Sequence, residues 1–244
     1  MSRIEVQGVK CVLLDIEGTI CPISFVKETL FPYALRALPT ILSTHWTSPS
    51  LAPYIAAFPP EHRTSPAALE SHVRDLTARD VKAPYHKALQ GYLWEEGYAS
   101  GAYATELFAD VVPALRGWKE GGRGVAIYSS GSVFAQKLLM RHVRGSDGRV
   151  ESLEGLVGEE EKGWFDTVNA GSKVEEASYG KIAGVLELAP ESILFLSDNV
   201  KEVEAALSAG MKSLVVDRPG NAPLSDEDKN RFKVIESFEQ ISLA

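Results

Sequence analysis

The chain has 244 residues, a formal net charge of -8 and a 45% hydrophobic content. That length fits one large α/β domain or a core with a smaller insertion, and the apolar share excludes wholesale disorder. No Lys/Arg-rich block offers the positive stripe that nucleic acid requires, so nucleic acid is not expected as a partner. Small anions stay open, because a few placed cations can reverse the field locally. Met1–Lys10 lacks the apolar core of a signal peptide, and no run approaches the ~20 apolar residues that cross a bilayer. Cys11 and Cys21 are the only two cysteines and make neither a disulfide framework nor a metal-binding spacing. A soluble, reducing, intracellular setting without a membrane partner is expected.

In chain order, Val9–Leu14 reads as a first buried parallel strand, with Cys11 as a small buried side chain. From Cys21 to about Asp110 there is no convincing strand run, but helical ones occur at Phe25–Leu38 and Pro84–Tyr98. Pro32 is expected to end or kink the first. Tyr85, Leu89, Tyr92 and Leu93 give the second an aromatic-apolar face, and Phe58–Pro66 reads as a loop. Gly124–Tyr128 predicts a second strand, followed by a helix over Val133–Val143. Gly158–Gly163 is an acidic run read as a solvated loop. Tyr179, Ile182, Ala183, Val185 and Leu186 predict a helix ending before Pro190. Ser192–Leu196 predicts a third strand, then a helix closed by Gly210 as C-cap. Ser213–Val216 and the weaker Lys233–Ile235 complete the strands.

This β-α-β-α rhythm predicts an α/β fold: an open parallel, Rossmann-like sheet with helices on both faces. The interruption predicts a helical insertion. The core is expected over 1–20 and 111–244, with the inserted region over 21–110.

Ligands of an open parallel sheet bind beyond the carboxyl ends of the strands. The first strand ends in Asp15 and Glu17, before Gly18 and Thr19; the second ends in Ser129, Ser130 and Gly131. The third ends in Ser197, Asp198 and Asn199, with Glu202 four residues beyond Asp198. Asn169–Lys173 forms a glycine-containing loop with one cation. Each group has an ordinary alternative: Asp15, Asp198, Ser129 or Ser130 as a helix cap, Glu17 as a turn residue, Lys173 as a solvated lysine. Taken jointly, three strand ends and one loop would need such groups for unrelated reasons.

The joint set has a clear chemical use. A carboxylate attacking a phosphoryl group meets electrostatic repulsion, which Mg²⁺ lowers. Mg²⁺ prefers oxygen ligands, often one or two carboxylates with waters and a phosphate oxygen; Asp15 and Asp198 can supply the carboxylates. Groups near Ser129 and Ser130, with the Lys173 ammonium, can hold phosphoryl oxygens. Glu17 can protonate the leaving oxygen and later deprotonate a water.

Leu13-Leu14-Asp15-Ile16-Glu17-Gly18-Thr19 resembles the first motif of the haloacid dehalogenase superfamily of aspartate-nucleophile phosphatases. Most members carry a second Asp where this chain has Glu17. Asp-x-Glu-Gly-Thr is the form of one branch, acireductone synthase, the enolase-phosphatases of methionine salvage. Phe25-Val26-Lys27, Phe108–Pro113, Tyr128–Ser132, Ala135–Leu139, Gly171–Glu175, Ile193–Asp198 and Arg218–Ala222 extend the resemblance along nearly the whole chain. It is weakest over Pro39–Lys82 and Gly145–Gly163.

The resemblance implies a haloacid dehalogenase-like core with a helical cap. It implies enolisation of 2,3-diketo-5-methylthiopentyl 1-phosphate and hydrolysis to 1,2-dihydroxy-3-keto-5-methylthiopentene and phosphate. It carries over Asp15 and Glu17 as catalytic, and Asp15, Glu17 (through its backbone carbonyl) and Asp198 as the Mg²⁺ site. Ser129, Ser130 and Lys173 carry over as substrate-binding residues. It further implies a monomer in the cytoplasm or nucleus. The aromatic face of the cap is expected to be core packing, with contact to the methylthio end as the alternative. Asn199 departs from a small apolar residue common in the family; it either caps the next helix or adds a metal-shell contact. The rival readings are a phosphatase of sugar phosphates or nucleotides on the same scaffold, and a non-catalytic binding protein. The second should have lost Asp15, Lys173 or Asp198, and all three are present.

Overall fold

The computed structural model describes residues 3–81, 83–158 and 162–244. Strands β1 (Ile4–Val6) and β2 (Cys11–Leu14) come first, then a π-helical turn at Phe25–Leu30 and helices α1 (Phe31–His45), α2 (Ala52–Ala56), α3 (Pro66–Ala78) and α4 (Pro84–Ala99). α5 (Val111–Glu120), β3 (Gly124–Tyr128), α6 (Val133–Arg141), β4 (Val143–Arg144), β5 (Val150–Glu151) and β6 (Trp164–Phe165) follow. The chain continues through α7 (Glu176–Leu186), β7 (Ile193–Ser197), α8 (Val200–Ser208), β8 (Lys212–Val216), α9 (Asp226–Arg231), β9 (Val234–Ile235) and β10 (Ile241–Leu243). Among the described residues, no helix is long and apolar enough to cross a membrane.

The chain divides into two compact units, Met1–Ile23 with Thr105–Ala244, and Ser24–Ala104. The edges lie inside the expected 21–110 interval. Cys21 is bridged to Glu17 and Thr105 to Val143, and Phe108 N–H donates to the Ile20 carbonyl at 3.0 Å. Those backbone bonds tie both ends of the interval into the first unit.

In that unit six strands pair in parallel in the order β6-β3-β2-β7-β8-β9. β2 is central because Cys-Val-Leu-Leu is buried on both faces, as is all of β7. Leu14 stands level with Ile127 of β3 and Leu196 of β7. The residues just beyond these three strands therefore emerge at one level. Leu13, Ala126, Tyr128, Tyr179, Ile182, Phe195 and Ala206 form the core on one face of the sheet. Helix α8 ends as expected at Gly210, whose φ of +83° fits a left-handed cap, with Met211 N–H reaching the Ala206 carbonyl at 3.0 Å. The sequence patterns missed β6, only two residues long, and the parallel pairing of β1 with β10 from opposite ends of the chain. Val143 begins β4 rather than ending α6.

The second unit packs α1, α3 and α4 around Leu38, Leu42, Leu69, Val73, Leu89, Tyr92 and Leu93. The aromatic face of α4 builds this core, as core packing at helical spacing predicts: Leu89, Tyr92 and Leu93 are buried, and Tyr85 packs against Phe58. At Pro32 the helix neither ends nor breaks. A π-helical turn, with Phe31 N–H bonded to the Val26 carbonyl, widens the chain before the proline ring and α1 runs on to His45. Within Phe58–Pro66 a short 3₁₀ turn forms at Pro60–His62, and Ser65 caps α3. Of the acidic run, Glu159–Glu161 lie outside the described residues.

Candidate active site

Beyond β2, Asp15 keeps one more sheet bond, its N–H donating to the Leu196 carbonyl at 3.0 Å, and its side chain is buried. The chain then turns tightly. The Ile16 carbonyl accepts from the N–H groups of Thr19, Ile20 and Cys21, and Gly18 N–H donates to the Cys21 carbonyl at 2.8 Å. Gly18 has φ +72°, and a Cβ there would lie 2.5 Å from Asp198 Oδ2, so only glycine fits. Thr19 is buried; its hydroxyl oxygen accepts from Asp198 N–H at 3.1 Å, joining the turn to the end of β7. Its carbonyl accepts from Arg218 Nε at 3.1 Å. Arg218 is buried between the rings of Phe108 and Phe238 and donates to Asp110 at 2.9 Å. Glu17 is half-buried in the same turn.

Lys173 is not a solvated lysine. Tyr179 hydroxyl donates to its carbonyl at 2.7 Å and Tyr128 hydroxyl to the Gly171 carbonyl at 2.9 Å, so two buried tyrosines hold the loop. The ammonium lies 2.5 Å from Asp15 Oδ1 and 2.6 Å from Glu202 Oε2. Ser197 Oγ lies 2.9 Å from Glu202 Oε2 and 3.3 Å from Asp15 Oδ2. Burial alone would lower the Lys173 pKa, but the Asp15 and Glu202 charges outweigh it and hold the ammonium above its usual range. Burial first, then the Asp15 charge, pushes the Glu202 carboxyl up to about 7 against the opposing pull of Lys173 and Ser197. Asp198, half-buried, is likewise pushed up to about 7 by burial and by Asp15 and Glu202.

On the other side of β2, Ser129 N–H donates to the Phe165 carbonyl at 3.1 Å, and Ser129 Oγ accepts from Gly131 N–H at 3.1 Å. The helix α6 is capped by Ser132, with Asp166 Oδ2 accepting from Val133 N–H at 3.0 Å. The capping alternative for Ser129 and Ser130 is thus taken by other residues. Asp166 Oδ1 also accepts from the N–H groups of Val168 and Asn169, which binds the serine loop to the start of the Lys173 loop. Asn199 is the N-cap of α8, its Oδ1 accepting from Lys201 N–H at 3.1 Å.

The structure therefore brings Asp15 and Lys173 into contact and hangs Asp198 from the Asp15–Thr19 turn. It sets Ser129 and Ser130 beyond the adjacent strand. Sequence reading noticed Glu202 without giving it a role, although an acidic residue in the first turn of a helix after a strand-end Asp is a usable signal. Asn221 lies in the family-like run Arg218–Ala222, but the sequence assigns it no role. Its Nδ2 donates to the Gly18 carbonyl at 2.9 Å and the Val216 carbonyl at 3.3 Å.

Asp15, Asp198 and Glu202 interact with each other and with a single ammonium, Lys173. This oxygen-only, charge-deficient set fits a hard divalent cation. Among the described residues no three His, Cys, Asp or Glu side chains form a metal cage. Mg²⁺ needs none, since it keeps several waters and takes one or two carboxylates. Among the histidines, His62 and His72 stack at 3.6 Å, and His86 is buried between Thr77 and Val81.

Residues 9–210 match the family model described as haloacid dehalogenase-like hydrolase. "Enolase-phosphatase E1" of Sclerotinia sclerotiorum is 59% identical over 237 residues, covering 96% of this chain and 93% of that protein. The protein of that name from Neurospora crassa is 57% identical over 235 residues, covering 96% and 97%. Among solved structures, the UTR4 protein of Saccharomyces cerevisiae is similar at a TM-score of 0.83 and 38% identity, covering 95% of this chain and 99% of that one.

Proposed function

This chain belongs to the enolase-phosphatase E1 family of haloacid dehalogenase-like hydrolases, and from that premise we propose a Mg²⁺-dependent reaction on 2,3-diketo-5-methylthiopentyl 1-phosphate in methionine salvage. The chain is a hydrolase with phosphatase activity. The reading of its chemistry rests above all on Asp15, a carboxylate at the carboxyl end of the central strand with Lys173 Nζ 2.5 Å from Oδ1. That contact leaves Oδ2, which accepts from Ser197 Oγ at 3.3 Å, as the less engaged oxygen. Oδ2 attacks phosphorus, the bond from phosphorus to the substrate oxygen breaks, and the Glu17 carboxyl gives that oxygen its proton. Glu17 then takes a proton from the water that hydrolyses the aspartyl-phosphate. Ser129, Ser130 and Lys173 hold the phosphoryl oxygens through both steps.

Asp15, Asp198 and the Glu17 carbonyl would hold Mg²⁺, which supplies positive charge to offset repulsion between carboxylate and phosphate. Ser24–Ala104, inserted after the Asp15–Thr19 turn, is the cap in this reading. The test is phosphate release from the diketone phosphate with and without EDTA. We expect release that stops with EDTA and returns with excess Mg²⁺. Release that ignores EDTA would overturn the metal requirement, and no release at all would overturn the substrate.

A further inference from the structure

Asn221 Oδ1 is a buried side-chain oxygen with no hydrogen-bond partner among the described residues. The amide cannot simply be turned over, because Nδ2 serves the Gly18 and Val216 carbonyls and the exchange would set oxygen against two oxygens. Oδ1 is thus held on the side of Asp198. A Cβ built on Gly18 would lie 2.9 Å from Asn221 Oδ1 and 2.5 Å from Asp198 Oδ2, so both oxygens crowd the same small space beside Gly18. Two acceptors share that space, and Asn221 Oδ1 has no donor among the described residues. Buried acceptors of this kind are normally satisfied, so a donor from outside the chain is called for.

A water polarised by a divalent cation has the right chemistry, since it donates strongly and would sit beside a carboxylate that binds the cation. We propose that Asn221 is a positioning residue for the cation. Its Oδ1 accepts a hydrogen bond from a water bound to the ion at Asp198, while its amide holds the Gly18 carbonyl and so the turn after Asp15. This inference rests on the cation site proposed above. It adds that a residue outside the carboxylate set tunes the affinity of that site.

The test compares wild type with Asn221→Ala by Mn²⁺ titration, following the free-ion electron paramagnetic resonance signal, and by the Mg²⁺ dependence of phosphate release. Loss of such an outer contact should weaken Mn²⁺ binding roughly 10–100-fold. The half-saturating Mg²⁺ concentration should rise in parallel, by a larger factor than any fall in kcat from losing the brace on Gly18. A role confined to bracing the Gly18 turn gives the opposite split, a lower kcat at saturating Mg²⁺ with unchanged Mn²⁺ affinity, and overturns the proposal. Asn221→Ser keeps one donor for the carbonyls and serves if the alanine variant does not fold; the same loss of affinity is expected of it. If wild type binds no Mn²⁺, the cation site itself is wrong. If wild type binds and both variants bind as tightly, only the role of Asn221 falls.

Discussion

Lys173 Nζ lies 2.5 Å from Asp15 Oδ1, with the two side chains only 7% and 9% exposed. An ion pair this deep is weak evidence of net stabilisation, but removing one partner strands the other in a poor solvent for charge. Lys173→Met strands both Asp15 and Glu202, and we expect it to cost roughly 3–5 kcal/mol of stability, measured by urea denaturation. A midpoint unchanged from wild type would mean that the carboxylates find another counter-charge. Phosphate release should also fall to background.

The two acids of the turn should separate in their effects. Asp15→Asn keeps the shape of the side chain but not the nucleophile, so phosphate release should disappear while the circular dichroism spectrum stays that of wild type. Glu17→Gln removes a proton donor from a half-buried position and should slow release roughly 10²–10⁴-fold. A near-normal rate would assign proton transfer to another group.

Gly18 is the backbone crossing point of the site. With φ at +72° and a Cβ placed 2.5 Å from Asp198 Oδ2, Gly18→Ala combines an unfavourable backbone with a steric conflict. The expected loss of stability is more than about 1 kcal/mol, read from thermal unfolding. Cation binding should weaken with it, because the atom displaced belongs to Asp198. Full activity with normal stability would show that the turn relaxes freely.

His86 offers a test of pH dependence away from the catalytic groups. Burial lowers its pKa below the ordinary imidazole range, only partly opposed by the Val81 carbonyl. The unfolded chain therefore takes up the proton first as pH falls, so the contribution of His86 is present above its unfolded pKa and lost below it. With that value at ~6.5, the wild-type urea midpoint should fall relative to that of His86→Gln as pH goes from 7.5 to 5.5, on top of the opposing contribution of Asp198 and Glu202, which both proteins share. A difference between the two midpoints that stays constant with pH would place the sensitivity elsewhere.

Local pattern made much of this protein legible. The apolar runs of β2, β3, β7 and β8 are short and bounded by turn residues, and strands buried on both faces have no other way to look. Asp15, Glu17, Gly18 and Thr19 are contiguous, so their joint turn was readable before any folding. Asp198 and Lys173 were readable one step less directly, because the parallel-sheet rule carries strand ends to one edge. What contiguity does not encode was lost. The pairing of Ile4 with Ile241 and the two-residue β6 have too few residues to show a period. The aromatic stripe of α4 reads as core, but which helices cover it is settled only by the packing of α1 and α3 against it.

Within the site the same division holds. The sequence by itself pointed to the Asp15–Thr19 turn, the serines and the lysine, because each carries its candidate chemistry within a few residues. The tertiary structure alone decided that Lys173 bridges Asp15 and Glu202, and that Asn221 holds the Gly18 carbonyl across 203 positions of chain. Charge pairing and amide geometry act through space. The side chains that finish the Asp15–Thr19 turn are therefore set by which strands lie side by side.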